Sequence, residues 1–493
     1  MSDPPPGYNT HIPPSIMTPD RVSTRIGELE FFDGLPSAET ARRTLDHLDF
    51  LRGVEAFLNG IPAASIEAMR RGMVAVGVDA SHKCGLLEEL LDSNGLFLTG
   101  NTDTVYASTI LDLGQDGPTV VEIPPRCGPG TVNDAWFRFV IDMGAPGPDR
   151  GQGGKYLLLP PDHDGDVPDG YFVARSPSYV NWLILRGFLV DGSPETAATM
   201  FREGLRVYPL SAAGDPPPME FVPLTGRTFN TIHSNDAGFY EELHAVIDRE
   251  PIGVIDPEFR GLLASIGIRK GRPFAPDDRM QSILADAVAV ANATARSLYF
   301  APRDPEAFIY DDGSAWKTGF IGGDYRWLID DGEGGRNLDA RTYFHYIATV
   351  NTPAMALEMV GVGSQYALAD RDRDDNYLDG DKVYRLRLPP DPPAKDFWSV
   401  VVYDPQTRSE LQTGQPSPSK NGSKDPIAVN ADGTIDLYFG PTAPEGQDDN
   451  WIETVPGKGW FTILRLYGPL EPWFDQTWRP GEIELVDAEP SQG

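Results

Sequence analysis

In the C-terminal third of this chain, runs rich in Trp, Tyr and Phe repeat at a period of two: Phe397 to Asp404 (FWSVVVYD), Thr434 to Phe439 (TIDLYF) and Trp460 to Tyr467 (WFTILRLY). Successive side chains of a strand point to opposite faces, so such runs, bounded by Pro, Gly and Asp, predict antiparallel strands with a buried face. This end of the chain is therefore expected to be a β-sandwich or jelly roll rather than a nucleotide-binding α/β domain.

With 493 residues, the chain exceeds the size at which one hydrophobic core keeps growing, so two domains with a connecting region are expected. A Pro-rich start reads as an extended arm. Ser37-Ala-Glu then offers a helix cap, and Leu45, Leu48, Leu51, Val54 and Leu58 recur at helical spacing up to Gly60. A separate second helix is predicted over about residues 63–73. From Leu96 to Val190 the period becomes two, with runs such as Val105 to Leu113, Thr119 to Ile123, Trp136 to Asp142 and Trp182 to Val190 separated by Pro and Gly clusters. Residues 235–300 return to helix, with Met280, Ile283, Ala287, Ala291, Ala295 and Leu298 forming a narrow stripe after a start near Asp277. Another helix is predicted from Leu338 to Val350, ahead of Pro353. The expected architecture is α+β, mainly β: two antiparallel β-sandwich or jelly-roll-like domains joined by a helical region. Its parts are an arm (1–35), a helical lead-in (36–80), a first β-rich domain (81–230), a helical connection (231–355) and a C-terminal β-sandwich (356–493).

Against 73 Asp and Glu there are only 41 Lys and Arg, a net charge of -32. Such a surface repels nucleic acid and anionic lipid, so neither is expected as a partner, and a small-molecule ligand is. Only Cys84 and Cys127 are present, which neither demands an oxidising compartment nor makes a zinc cluster. No basic-then-apolar leader and no run of about 18 apolar residues is found, so the expectation is a cytoplasmic protein.

Absent motifs narrow the chemistry. There is no G-x-S-x-G, H-E-x-x-H, G-x-x-x-x-G-K-[ST] or paired C-x-x-C, which counts against serine hydrolases of the α/β type, zincins and P-loop enzymes. Gly151-Gln-Gly-Gly and Gly361-Val-Gly-Ser lack a strand-to-helix context and read as loops. The run Asp370-Arg-Asp-Arg-Asp-Asp-Asn resembles a calcium loop but has Asp375 where the turn needs Gly, so it reads as an acidic hairpin turn. Asp162, His163, Asp164 and Asp166 sit among Pro and Gly and read as a solvated loop. No cofactor and no metal ligand is assigned, and a divalent ion stays open.

The promising charges are those that parity or helical spacing places beside aromatics. On a Trp136 to Asp142 strand, Phe137, Phe139 and Ile141 share one face while Trp136, Arg138, Val140 and Asp142 share the other. Arg138 and Asp142 then either line a recess beside the indole or pair with each other on an open face. Asn101, Asp103 and Tyr106 add polar groups from a preceding turn and strand. Arg341 and His345 are i,i+4 on a predicted helix, where the cation lowers the His pKa and keeps the imidazole neutral. Arg465 shares its strand face with Phe461, Ile463 and Tyr467, so it is either paired with an acid such as Asp404 or Glu471 or binds an anion. Trp398 and Trp473 are candidate aromatic walls.

Across nearly the whole chain, from about Met17 to Glu484, several blocks resemble a bacterial family of paired domains of unknown function, 1254 on the N-terminal side and 1214 on the C-terminal side. They are Leu96-Phe-Leu-Thr-Gly-Asn-Thr-Asp-Thr-Val-Tyr106, Trp136-Phe-Arg-Phe-Val, Lys395-Asp-Phe-Trp-Ser-Val-Val-Val-Tyr-Asp404, Gly457-Lys-Gly-Trp-Phe461 and Leu466-Tyr-Gly-Pro-Leu-Glu-Pro-Trp-Phe474. The first reads Gly-Asn-Thr-Asp where relatives often carry Pro-Asn-Asn-Asp or Pro-Asn-Thr-Glu. The resemblance implies β-rich domains joined by helices and a homo-oligomer, dimer or tetramer. It implies no settled reaction.

Three functional expectations follow. The first is a hydrolase of a cyclic or amphipathic small molecule, with walls from Trp136, Trp398 and Trp473, Asp103 or His345 as general base, Arg138 as oxyanion stabiliser and water as nucleophile. The second is a non-catalytic protein that binds a sugar or hydrophobic ligand. A metal-dependent enzyme is the third.

Overall fold

The computed structural model describes residues 12–486. The Pro-rich segment 1–11 lies outside the described residues. The rest of the expected arm is not simply extended, for Arg21–Thr24, Gly27–Phe32 and Leu35–Pro36 form a small antiparallel ribbon.

One helix, Ala38–Ala75, replaces the two expected. Its N-terminus is capped by Ser37, whose hydroxyl accepts from the Thr40 amide at 3.1 Å. Gly60 and Pro62 do not stop it. A Cβ on Gly60 would lie 2.8 Å from a Leu243 methyl, so the glycine serves close packing of helix Gly238–Arg249. Pro62 lacks an N–H, which frees the Leu58 carbonyl, and the Thr342 hydroxyl donates to that carbonyl at 3.4 Å. The half after Gly53 is buried through Phe57, Ile61, Ile66 and Met69, whereas Leu45, Leu48 and Leu51 of the expected apolar stripe face solvent. Helix Asp278–Phe300, capped by Asp277 as its sequence predicts, buries Ala287, Ala291 and Ala295, and Ala287 meets Gly53.

The first β-rich region pairs a six-stranded sheet with a four-stranded one. The first runs Glu220–Pro223, Lys83–Leu87, Val105–Asp112, Val180–Gly187, Pro129–Asp134, Phe139–Gly144, and the second Phe172–Arg175, Gly154–Leu159, Thr119–Ile123, Arg206–Pro209. Val105, Val121, Val132, Tyr156, Leu183 and Phe201 belong to one core. Within these two sheets pairing is antiparallel except at one edge of each, where Glu220–Pro223 and Phe172–Arg175 run parallel to their neighbours. The C-terminal region is again two four-stranded sheets. One is Ser364–Ala369, Phe461–Pro469, Ala394–Tyr403, Ser419–Asn421; the other is Trp451–Glu453, Ile435–Gly440, Tyr384–Leu388, Ile483–Leu485. Leu386, Val400, Leu437, Trp460 and Leu464 share its core.

A third core ties the regions together. Phe57 and Ile66 of the long helix, Trp136 and Trp182 of the first region, Tyr343 of helix Leu338–Ile347 and Phe461 of the C-terminal sheet form one continuous buried cluster. The fold is mixed α and β with β predominating. Among the described residues no helix is long and apolar enough to cross a membrane.

Candidate functional site

The strand expected over Trp136 to Asp142 starts three residues late, at Phe139, because a side chain makes the turn before it. Asp134 ends the preceding strand, and its carboxylate accepts from the Trp136 amide at 2.8 Å, the Arg138 amide at 2.9 Å and Arg138 Nε at 2.6 Å. Asp can turn a chain this way without Gly or Pro, so the local pattern carries no punctuation. Phe137 takes a positive φ of 54° inside the turn. Trp136, Phe137 and Arg138 are thereby presented together at one end of the sheet.

Opposite them lie the segment from Gly253 to helix Pro257–Ser265, the Tyr325–Leu328 loop and helix Leu338–Ile347. These four pieces enclose a cleft of about 1120 Å³. Its walls are aromatic: Trp136 stands edge-on to Phe259 at 6.3 Å, Phe137 stacks on His345 at 5.3 Å, and Trp327 meets the same imidazole edge-on at 5.0 Å. Arg138 Nη1 donates to the Val254 carbonyl at 3.0 Å, clasping the turn to the far wall.

Five arginines line this cleft, Arg138, Arg260, Arg326, Arg336 and Arg341, with Asp256 and Glu258 the only acids. Arg138 pairs with Asp134, and Arg326 with Asp324 outside the cleft. Among the described residues the other three have no carboxylate partner. Arg260 Nε has no acceptor at all, and Arg341 donates only to Asn59 Oδ1, at 2.6 Å, leaving its Nε without one. Burial, and then repulsion from Arg336, lowers the Arg341 pKa to about 10. Arg336 is itself lowered by burial and next by Arg138. His345 is held well below the ordinary imidazole value by burial first, then by Arg341 and Arg336, and its Nδ1 has no partner. Neutral His345 is what the i,i+4 spacing predicts, with burial the larger cause.

The remaining residues singled out from the sequence lie elsewhere. Arg138 and Asp142 do not pair, because the turn hands Arg138 to Asp134. Asp142 instead accepts from the Thr352 hydroxyl at 2.7 and 2.8 Å, and burial pushes its carboxyl up to about 6. Asp103 is wholly buried outside the cleft and accepts from Ser399 at 2.5 Å, Asn421 at 3.0 Å and Tyr467 at 3.2 Å. Asn101, Tyr106 and Arg465 line a separate small cavity. Arg465 pairs with neither Asp404, which is bound to Lys458, nor Glu471. Trp398 and Trp473 pack in the C-terminal core rather than on the cleft. The cleft thus gathers Trp136 and Arg138 with Arg341 and His345, from two segments singled out in the sequence, and adds Arg260, Arg336 and Trp327, which loops and short helices carry without a periodic signal. Among the described residues no three His, Cys, Asp or Glu side chains cluster as a metal site requires.

Two family models match, the protein of unknown function DUF1254 over residues 84–209 and the protein of unknown function DUF1214 over residues 363–471. No curated protein matches the chain. Among solved structures, the VPA0106 protein from Vibrio parahaemolyticus is similar at 18% identity and a TM-score of 0.55, over 89% of this chain and 100% of that one. An uncharacterized protein from Burkholderia cenocepacia is similar at 13% identity and a TM-score of 0.41, over 90% of this chain and 97% of that one. The chain thus carries a match to DUF1254 on its N-terminal side and to DUF1214 on its C-terminal side, in the order that its sequence blocks resemble.

Proposed function

We propose that this protein binds an amphipathic small-molecule anion, an acidic head on a ring-bearing body, in the cleft between the Asp134–Arg138 turn and helix Leu338–Ile347. One observation carries the reading. In a chain with a net charge of -32, five arginines converge on one recess and three of them have no carboxylate partner among the described residues. Leaving guanidinium groups mutually repelling and partly desolvated is unfavourable unless an anion completes the site. Aromatic walls supply the apolar area, and the volume suits a drug-sized ligand.

Hydrolysis of an ester or lactone of such an acid is the second reading, favoured by His345 Nδ1, which is neutral and has no partner beside Arg341. Arginines in a water-poor recess can stabilise an oxyanion. An imidazole with so depressed a pKa is nonetheless a weak base, which puts binding ahead of turnover.

The two readings separate in one set of variants. Tryptophan fluorescence reports ligand entry through Trp136 and Trp327. For an aromatic carboxylate, Arg341→Met and Arg138→Met are each expected to weaken binding by roughly tenfold or more. Equal affinity in both variants and wild type would remove the cleft as the site. A rate of ester cleavage lost in His345→Gln, with affinity kept, would make the protein an enzyme.

A further inference from the structure

Between the two β-rich regions lies a second, smaller cavity of about 50 Å³, behind an aromatic partition. Phe320 and Phe344 line it on one side while Trp327, stacked on Phe320 at 6.0 Å and 5.5 Å from Phe344, lines the outer cleft. Two arginines enter it, one from each family domain. Arg186, on strand Val180–Gly187, is 8% exposed, and Arg465, on strand Phe461–Pro469, is 3% exposed.

Neither arginine has a carboxylate partner among the described residues. Arg186 Nε has no acceptor, and its guanidinium carbon stands 5.7 Å from the centre of the Tyr106 ring. Arg465 Nη2 donates to the carbonyls of Thr99 at 2.8 Å and Gly100 at 3.4 Å, but its Nη1 has no acceptor. The nearby acids do not fill the gap. Asp103 is already engaged by Ser399, Asn421 and Tyr467, and the wholly buried Glu410 is driven well up in pKa by burial, which favours its uncharged form. Tyr106 adds a third donor. Its hydroxyl oxygen accepts from Asn101 Nδ2 at 2.5 Å and from the Asn101 amide at 3.3 Å, and its own proton meets no acceptor among the described residues.

Two buried guanidinium groups that turn unfilled donors into one space amount to a site awaiting an anion, because Asp103 and Asp142 act on them only at a distance and leave those donors without an acceptor. The rest of the lining is mostly apolar, including Phe97, Ile184 and Phe344, with Thr99, Asn101, Thr349 and Tyr366 its other polar side chains. A tetrahedral phosphate would turn unsatisfied oxygens towards those walls, whereas a short-chain carboxylate sets two oxygens on the guanidinium groups and its alkyl end on the rings. We infer that this interdomain cavity is a binding site for a small monocarboxylate, acetate or propionate in size, bridged by Arg186 and Arg465 and distinct from the outer cleft.

Calorimetric titration of the full chain, dialysed free of carboxylates, tests this with acetate, propionate, inorganic phosphate and chloride. Saturable binding of the carboxylates with a rise in Tm, and none for phosphate or chloride at the same ionic strength, is expected. Arg186→Met and Arg465→Met should each weaken the carboxylate by at least roughly thirtyfold, and Arg341→Met in the outer cleft should leave it unchanged. Should either methionine variant lose its folded circular dichroism, the Arg341→Met titration decides, because there the outer cleft is weakened and only the inner cavity keeps all its arginines. No saturable carboxylate binding in wild type, equal binding of phosphate, or undiminished binding in a folded Arg186→Met would each overturn the site.

Discussion

Asp103 Oδ2 accepts from Ser399 Oγ at 2.5 Å across the boundary between the two family domains, with both residues wholly buried. Together with Asn421 and Tyr467, Ser399 makes this carboxylate a staple, and a carboxylate with three donors in a sealed space is a poor candidate for abstracting a proton from substrate.

The staple gives a stability prediction. In Asp103→Asn the new NH2 group turns towards the Ser399 and Tyr467 hydroxyls, which must then accept instead of donating to a charged oxygen, because Asn421 cannot turn: its Oδ1 already accepts from Ser423 N and Oγ, each at 2.8 Å. Urea unfolding should show a loss of about 1–3 kcal/mol, and Asp103→Ala should lose more. Ligand affinity at the outer cleft should be retained in the folded variant. An Asp103→Asn protein as stable as wild type would remove the interdomain role.

Asp142 makes stability depend on pH. Its folded pKa, raised by burial to about 6, exceeds the ordinary value of 3.8, so the folded chain holds a proton that the unfolded chain releases. The stability contributed by this proton is complete below the ordinary value and is lost as pH rises through about 6. Asp142→Asn removes the dependence. Relative to wild type, the variant should therefore gain about 2 kcal/mol between pH 4.5 and 7.5, measured by denaturant titration at each pH. A constant difference between the two proteins across that range would contradict the assignment.

Lys317 is buried beside helix Asp278–Phe300, where its ammonium donates to Asp370 at 2.6 Å and to the Tyr299 carbonyl at 2.9 Å and lies 4.3 Å from the Tyr299 ring centre. Lys317→Met strands the Asp370 carboxylate, and a loss of about 3–5 kcal/mol in urea unfolding is expected. A Lys317→Met/Asp370→Leu double variant should recover part of it, since no charge is then left unpaired. If the double variant is no more stable than the single one, the pair is not what holds this junction.

Strands flanked by Pro, Gly or Asp were legible in the sequence: Thr119–Ile123 has the bounds its pattern predicts, and Ile435–Gly440 and Phe461–Pro469 differ by a residue or two. Punctuation misled where a tertiary partner overrode it. Gly60 reads as a helix end, yet Leu243 fits against it, and Thr342 satisfies the carbonyl left free by Pro62, two residues on. The Arg341 and His345 pair was readable from helical spacing, but its meeting with Trp136 and Arg138 depends on a turn made by the Asp134 side chain. Arg186 was within reach of parity, sharing a strand face with Trp182 and Ile184 as Arg465 does with Phe461 and Ile463. That the two arginines face one cavity follows only from how the domains dock.

The most direct test of the outer cleft is the sign of charge it prefers. Naphthoate, naphthylmethanol and naphthylmethylammonium share one ring system and differ in the head group. The overall charge of -32 favours the cation at long range, while the cleft arginines favour the acid. Naphthoate should bind tightest, by roughly tenfold or more over the alcohol, with an affinity that falls as salt is added and stays level from pH 6 to 8, since Arg341 and His345 hold their charge states there. Equal affinities for the three, or a preference for the ammonium, would contradict an anion-binding cleft.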